Sequence, residues 1–74
     1  MNLDRIRKKV SNGFRPFALE TSGGKRYEVP HPEFIMIGKG VVAVLGRDDS
    51  VTTLDALHIV AVEDLPGPGS KRDR

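Results

Sequence analysis

The chain has 74 residues and no cysteine, and 38% of its residues are apolar while only 5% are aromatic. Disulfides and zinc–thiolate sites are therefore excluded, and a core this small needs another reinforcement, for which we expect self-association. No apolar run approaches the roughly 20 residues of a membrane span, and no signal-peptide core follows the basic N-terminus. We therefore expect a soluble cytoplasmic protein without a membrane partner.

Charge is distributed unevenly along the chain. Residues 1–13 carry a net charge of +3 and residues 66–74 a net charge of +2, whereas residues 14–65 carry −3. A protein surface that binds nucleic acid needs clustered lysine and arginine. Such a surface would have to come from the two ends of this chain rather than from its acidic body.

The first residues have the pattern of a basic amphipathic helix. Leu3, Ile6 and Val10 follow the i, i+3, i+7 spacing of one helix face, and an Asn-Gly pair then offers a left-handed stop. A helix this short is marginal alone, so we expect it to pack across the rest of the fold. We assign residues 1–13 to this N-terminal helix.

From residue 14 onward the apolar period changes to two, which is typical of strands. Pro30 and Pro32 interrupt this pattern, because proline cannot donate to a strand ladder. Several strands are apolar on both faces and need cover on both sides, from a barrel interior and from the helix or another subunit. The expected strands are 17–21, 25–29, 34–37, 41–45, 51–54 and 57–62.

These elements predict a mainly β domain over residues 14–65, after the N-terminal helix. Five or six short strands with glycine-rich turns favour a small bent antiparallel sheet or barrel, since closure removes exposed strand edges. Residues 66–74 begin with alternating proline and glycine and end in basic residues, so we expect a disordered basic tail.

Three stretches carry a resemblance to a known family. Residues 13–17, 21–24 and 29–34 have the sequences GFRPF, TSGG and VPHPEF. They resemble a family of short uncharacterised bacterial proteins that carry an FRPF…VPHPEF pattern after a basic helical start. The resemblance extends over most of the chain that we expect to be ordered. It implies a bacterial protein but no activity.

The order of the elements is similar to that of Sm-like proteins, a family that includes the bacterial RNA chaperone Hfq and shares the SH3-like small barrel. This resemblance implies a ring of copies joined through the last two strands, 51–54 and 57–62, and RNA bound at the pore-side loops. The tight turn between those strands carries Asp55, Ala56 and Leu57 where the RNA chaperone has an aromatic-basic-His cluster. Fold alone does not carry function.

Catalysis is not expected from this sequence. His31 and His58 are the only histidines, and neither has the two or three converging partners that catalytic and metal sites require. Asp48 and Asp49 lie in a glycine-flanked turn, where adjacent carboxylates are usually solvated. We therefore expect no enzyme activity, no catalytic residue, no metal site and no cofactor.

The basic residues are the best candidates for a binding function. If a ring gathers several copies on one face, their charge multiplies and phosphate binding follows. A solvated helix face and a solubilising tail are the alternative interpretation. The candidate nucleic-acid-binding residues are Arg5, Arg7, Lys8, Lys9, Lys39, Lys71 and Arg72.

A second candidate is the loop Pro30-His31-Pro32-Glu33, which is either an interaction loop or a rigid corner. Two hypotheses for the function of this binding or regulatory module remain open. The first is an oligomeric Sm-like protein that binds RNA through its basic helix. The second is a protein–protein interaction module without nucleic-acid binding, which uses exposed strand edges or the apolar helix face.

Overall fold

One α-helix and six β-strands make up the regular structure in the computed structural model, which describes residues 2–11 and 13–66. Two single 3-10 turns, Pro32–Phe34 and Ala56–His58, also form part of the described structure. The helix and strands are α1 (Asp4–Ser11), β1 (Phe17–Thr21), β2 (Arg26–Val29), β3 (Ile35–Ile37), β4 (Val41–Leu45), β5 (Val51–Asp55) and β6 (Ile59–Asp64).

The strands form two antiparallel sheets of three strands each. The first sheet has the order β2-β1-β6, and the second has the order β3-β4-β5. In the first sheet Leu19 of β1 lies opposite Tyr27 and Val62. In the second sheet Val42 of β4 lies between Ile37 and Leu54. The expectation of a mainly β fold with an N-terminal helix and six short antiparallel strands is confirmed.

The two sheets do not close into a barrel, so the barrel form of the expected fold is wrong. Among the described strands, β2 does not pair with β3 and β5 does not pair with β6, which leaves two edges on each sheet. Pro30 and Pro32 lie between β2 and β3, where they remove the N–H groups that a continuous bent strand would need. A 3-10 turn separates β5 from β6, and the last strand begins at Ile59 rather than at residue 57.

The core lies between the inner faces of the sheets and the apolar face of α1. Three groups of residues are buried in it. Leu3 and Ile6 lie just before α1 and within it, and the two sheets contribute Phe17, Leu19, Val29 and Ile59, and Val42, Val44 and Leu54. No described polar or charged residue is buried. Because an eight-residue helix is unstable alone, this packing is what holds α1 in place.

Two hydrogen bonds show where α1 lies. Arg7 Nη2 donates to the carbonyl oxygen of Gly38 in the β3–β4 turn, at 2.6 Å. Lys9 Nζ donates to the carboxylate of Asp64 at the end of β6, at 2.5 Å. The helix therefore lies across one end of the core and bridges the two sheets. It does not cover the outer face of the second sheet, where Met36 is 73% exposed.

Within residues 2–11 and 13–66, no helix combines the length and the apolar character that crossing a membrane requires. The expected tail over residues 66–74 lies outside the described residues, apart from Pro66.

Candidate nucleic-acid interface

The four basic residues of α1 divide into two pairs with different surroundings. Arg7 and Lys9 flank the buried face of the helix. Arg7 Nη1 forms an ion pair with Asp4 at 2.7 Å while Nη2 reaches the β3–β4 turn, and Lys9 is paired with Asp64. These two cations therefore hold the helix on the sheets, in addition to any role in binding.

Arg5 and Lys8 form the second pair, on the solvent side of α1. They are three residues apart, so their side chains are neighbours on the helix surface. Both are exposed, and neither makes an ion pair or a hydrogen bond with a residue that the structure describes. Their charges are therefore available to a ligand.

A cavity lies beside the C-terminal end of α1, open to solvent, with a volume of about 550 Å³. The chain reverses at Gly13, whose φ of +67° is in the left-handed region that favours glycine. This reversal brings Arg15, which precedes β1, to the same cavity as the end of the helix. The lining residues are Lys8, Lys9, Gly13, Arg15 and Asp64.

The cavity has an excess of positive charge. Three cations face it, whereas Asp64 is its one carboxylate among the described residues. The hydrogen bond and the charge of Lys9 lower the pKa of Asp64, and the charge of Arg15 acts in the same direction. The carboxylate of Asp64 therefore stays ionised at neutral pH, and the formal net charge of the lining is +2.

The chemistry of this lining suits an anion with several acceptor oxygens. Lysine is a compact cation that binds phosphate as a point charge, and arginine offers paired N–H donors. The described lining contains no histidine and no hydroxyl side chain. The arrangement can bind a phosphate group.

The structure places the other predicted cations differently. Lys39 lies in the β3–β4 turn, next to the Gly38 carbonyl that accepts from Arg7, so it is on the opposite side of α1 from the cavity. Lys71 and Arg72 lie outside the described residues. Arg15 and Asp64 belong to the acidic body of the chain, and no local signal in the sequence indicates that they meet the end of α1 at this cavity.

The candidate interaction loop, residues 30–33, forms a corner between β2 and β3. Pro30 is half-buried and lines a separate cavity of about 420 Å³ between β2 and the β4–β5 hairpin. His31, Pro32 and Glu33 are exposed, and the His31 ring centroid lies 5.7 Å from that of Phe34. Binding by this loop stays a prediction.

The second histidine, His58, lies close to the hydroxyl group of a serine. His58 Nδ1 lies 3.4 Å from the hydroxyl of Ser22, at a cavity of about 410 Å³. Asp55 does not orient this imidazole, because its carboxylate accepts from the backbone N–H of Leu57 at 2.9 Å and caps the 3-10 turn. A nucleophile, a base and an orienting acid in series are what a catalytic triad requires. This pair is therefore not a triad.

The carboxylate of Asp48 stabilises the turn between β4 and β5. Asp48 accepts from the backbone N–H and the hydroxyl of Ser50, at 3.2 Å and 2.6 Å, and these bonds lower its pKa. The described residues contain no group of three or more His, Cys, Asp or Glu side chains placed to hold a metal ion.

Comparisons with protein-family models, with curated proteins and with solved structures find no match to this chain. The function is accordingly inferred from two features of the molecule. These are the cationic cavity at the end of α1, and the exposed pair of Arg5 and Lys8 on the same helix.

Proposed function

We propose that this protein is a non-catalytic RNA-binding module with an Sm-like order of elements, which binds as a homo-oligomer and contacts RNA phosphates with its basic helix. The observation that carries the proposal is the group of cations at one end of α1. Lys8, Lys9 and Arg15 face one cavity, and Arg5 lies one helical turn from Lys8. Contacts of lysine and arginine with phosphates supply most of the sequence-independent affinity for nucleic acids.

Burial of the aromatic residues leaves electrostatic attraction as the main source of this binding. Phe17 is fully buried, and Phe14, Tyr27 and Phe34 are half-buried against the core. Proteins that hold single-stranded RNA by stacking present aromatic faces to the bases. Little aromatic surface remains here for stacking, so we expect the affinity to depend strongly on salt and weakly on base sequence.

The free strand edges support self-association as part of the proposal. β5 and β6 are each paired on one side only. Exposed large apolar side chains lie along these elements: Val51 on β5 is 67% exposed, Leu57 in the 3-10 turn 83%, and Val60 on β6 58%. An exposed apolar edge is a template for pairing with another chain, and pairing of β5 with β6 of the next copy would close a ring.

The test is a titration of labelled single-stranded RNA, followed by fluorescence anisotropy at several salt concentrations. The double variant Arg5→Gln/Lys8→Gln removes two charges that make no described contact within the fold. We expect its affinity to fall about tenfold, and its slope of log K against log salt to decrease by about 1.4.

A charge-matched control is the double variant Lys25→Gln/Arg47→Gln. Both residues are exposed and lie in turns that do not line the cationic cavity. It should bind RNA within about twofold of the wild-type protein, because surface charges away from the contact contribute little. Equal losses in the two double variants, or wild-type binding that is insensitive to salt, would contradict the proposal.

The second candidate function is protein–protein interaction without nucleic-acid binding. One observation favours it: the outer face of the second sheet exposes Met36, Val41 and Val51. Apolar surface of this kind marks contacts with other proteins. On this alternative Met36→Lys abolishes capture of the protein partner, whereas Arg5→Gln/Lys8→Gln leaves it unchanged.

A further inference from the structure

We infer that the cavity at the C-terminal end of α1 is a binding site for a terminal phosphate, the dianionic phosphomonoester at the end of an RNA strand or of a free nucleotide. This inference rests on the proposed function and names the group that the basic site takes. RNA backbone binding requires only phosphodiesters, which carry one negative charge each. The inferred site prefers the monoester.

The charge of the cavity lining matches the charge of a phosphomonoester. Lys8, Lys9 and Arg15 face the cavity together with the carboxylate of Asp64, which leaves a net charge of +2. A phosphomonoester carries about −1.5 to −2 charges at neutral pH and has three strong acceptor oxygens. The monoester therefore matches the lining in charge, whereas a diester neutralises about half of it.

One cation of the lining, Lys9, is fixed in place before any ligand binds. The Lys9 side chain is 27% exposed, and its ammonium group is held by Asp64 at 2.5 Å. Asp64 is itself positioned by the sheet, since it lies opposite Phe17 in the register of β1 with β6, and the next residue donates from Leu65 N to the Pro16 carbonyl at 2.9 Å. A cation that is held before binding loses little conformational entropy when a ligand arrives.

The cavity is accessible to a phosphate group from the solvent. Gly13 lines the cavity, and a Cβ added to it would meet no atom within 4 Å. The wall at the end of the helix is therefore open backbone. A volume of about 550 Å³ is within the range of small-ligand sites, so a phosphate group can enter with its sugar attached.

Asp64 also affects the affinity of the cavity for phosphate. Its carboxylate competes with an incoming phosphate for the ammonium group of Lys9. The variant Asp64→Asn keeps the size of the side chain and raises the net charge of the lining from +2 to +3. This variant should bind any phosphate more tightly, by about threefold for an exposed charge.

The experiment compares two ligands that share a nucleoside and differ in phosphate charge. Adenosine 5′-monophosphate carries a monoester, and adenosine 3′,5′-cyclic monophosphate carries a diester. Each is titrated into the full chain at low salt and pH about 7.5, above the second phosphate pKa of about 6. Backbone amide shifts in nuclear magnetic resonance spectra report the affinity and the location. We expect the monoester to bind about fivefold more tightly, with the largest shifts at Lys8, Lys9 and Gly13.

Single variants locate the site. Lys8→Gln and Arg15→Gln should each weaken binding of the monoester about threefold, while Lys25→Gln, at the opposite end of β1, should not change it. Equal affinity for the two nucleotides, or shifts confined to other parts of the molecule, would overturn the inference.

A second pair of ligands separates this inference from the proposed function. The two are the same RNA oligonucleotide with a 5′-phosphate and with a 5′-hydroxyl. If both bind equally and both remain sensitive to Arg5→Gln/Lys8→Gln, backbone binding stands and the terminal-phosphate site is wrong. If neither RNA binds while adenosine 5′-monophosphate still binds at Lys8 and Arg15, the site stands and the RNA function is wrong.

Discussion

The outer faces of the two sheets differ in chemistry although the sheets have the same number of strands. On the first sheet, Arg26 of β2 and Glu63 of β6 form an ion pair that reaches across β1. Ala18 of β1 lies on the same face and is fully buried. On the second sheet the corresponding face presents Met36 and Val51, both mostly exposed.

The two sheets differ in how their outer faces interact with water. Long charged side chains cover apolar surface with their aliphatic stems while their charged ends stay in water. The outer face of the first sheet carries such side chains in Arg26 and Glu63. The second sheet has no such residues on β3 and β4, where the pattern is apolar on both faces. A charged face is stable in water, whereas an apolar face indicates contact with another molecule.

The largest expected effect comes from a matched pair of truncations, one in each sheet. Leu19 of β1 is fully buried, so Leu19→Ala removes methyl groups from the core and leaves a cavity. We expect it to lower the free energy of unfolding by about 2–5 kcal/mol. Met36→Ala, on the uncovered face, should change it by less than about 0.5 kcal/mol. Urea titration monitored by circular dichroism measures both.

A loss above about 2 kcal/mol for Met36→Ala would break the comparison, because it would mean that this side chain is buried in the folded protein. In that case the outer face of the second sheet would be covered under the conditions of measurement. Repeating the titration at several protein concentrations would then identify a second copy as the cover.

The next largest effect concerns self-association, which is measured as the molar mass of the protein in solution. Val51 is exposed on β5, at a free edge of the second sheet. A lysine at a strand edge opposes pairing with another strand. We expect wild-type protein to show a molar mass of several times 8.1 kDa by light scattering, and Val51→Lys to shift it towards a single chain.

His31→Lys is the control for that variant, since it adds the same charge at an exposed position in the corner between β2 and β3. Its molar mass should equal that of the wild-type protein. A wild-type mass of one chain at all concentrations would show that the oligomer is wrong, and a shift with His31→Lys would show that charge alone disperses the particle.

The smallest effect belongs to the charged face of the first sheet. Both partners of the Arg26–Glu63 ion pair are partly exposed, so water and salt screen their attraction. A double-mutant cycle with Arg26→Gln and Glu63→Gln should give a coupling energy of about 0.2–1 kcal/mol that decreases with added salt. A coupling above about 2 kcal/mol would place this pair in a dry environment and remove the contrast between the two faces.

Several elements could be predicted because their signals are local. The i, i+3, i+7 spacing of Leu3, Ile6 and Val10 placed the apolar face of α1, and Ile6 is fully buried. The period of two predicted a strand over residues 25–29, and β2 lies at Arg26–Val29, with Val29 buried and Tyr27 half-buried. Such periods follow from the backbone geometry of each element and need no tertiary information.

The expected strand over residues 57–62 was wrong at its start, for a reason that is also local. The carboxylate of Asp55 accepts from Leu57 N, and residues 56–58 form a 3-10 turn. Side chains of aspartate compete with strand ladders for backbone N–H groups in this way. The apolar residues from Leu57 onward indicated a strand, but the capping carboxylate of Asp55 decided the conformation of residues 56–58.

The candidate site was predicted in part. Sequence analysis treated the basic residues of the helix as one cluster, whereas the structure ties Arg7 and Lys9 to the sheets and leaves Arg5 and Lys8 in solvent. Two lining residues of the cavity, Arg15 and Asp64, were missed, and Asp64 is 55 positions from its partner Lys9 in the chain. No periodicity or motif connects residues at that separation.

The amino-acid sequence by itself determined where the helix and the strands lie to within a few residues, and which side of α1 is apolar. These properties depend on neighbours within a few residues, where backbone geometry fixes the direction of each side chain. Only the tertiary structure decided that the sheets stay open, that the second sheet keeps an uncovered apolar face, and that Lys8, Lys9 and Arg15 meet Asp64 at one cavity. Those outcomes depend on which strand ends meet in space, and that is settled by packing of the whole core rather than by any local pattern.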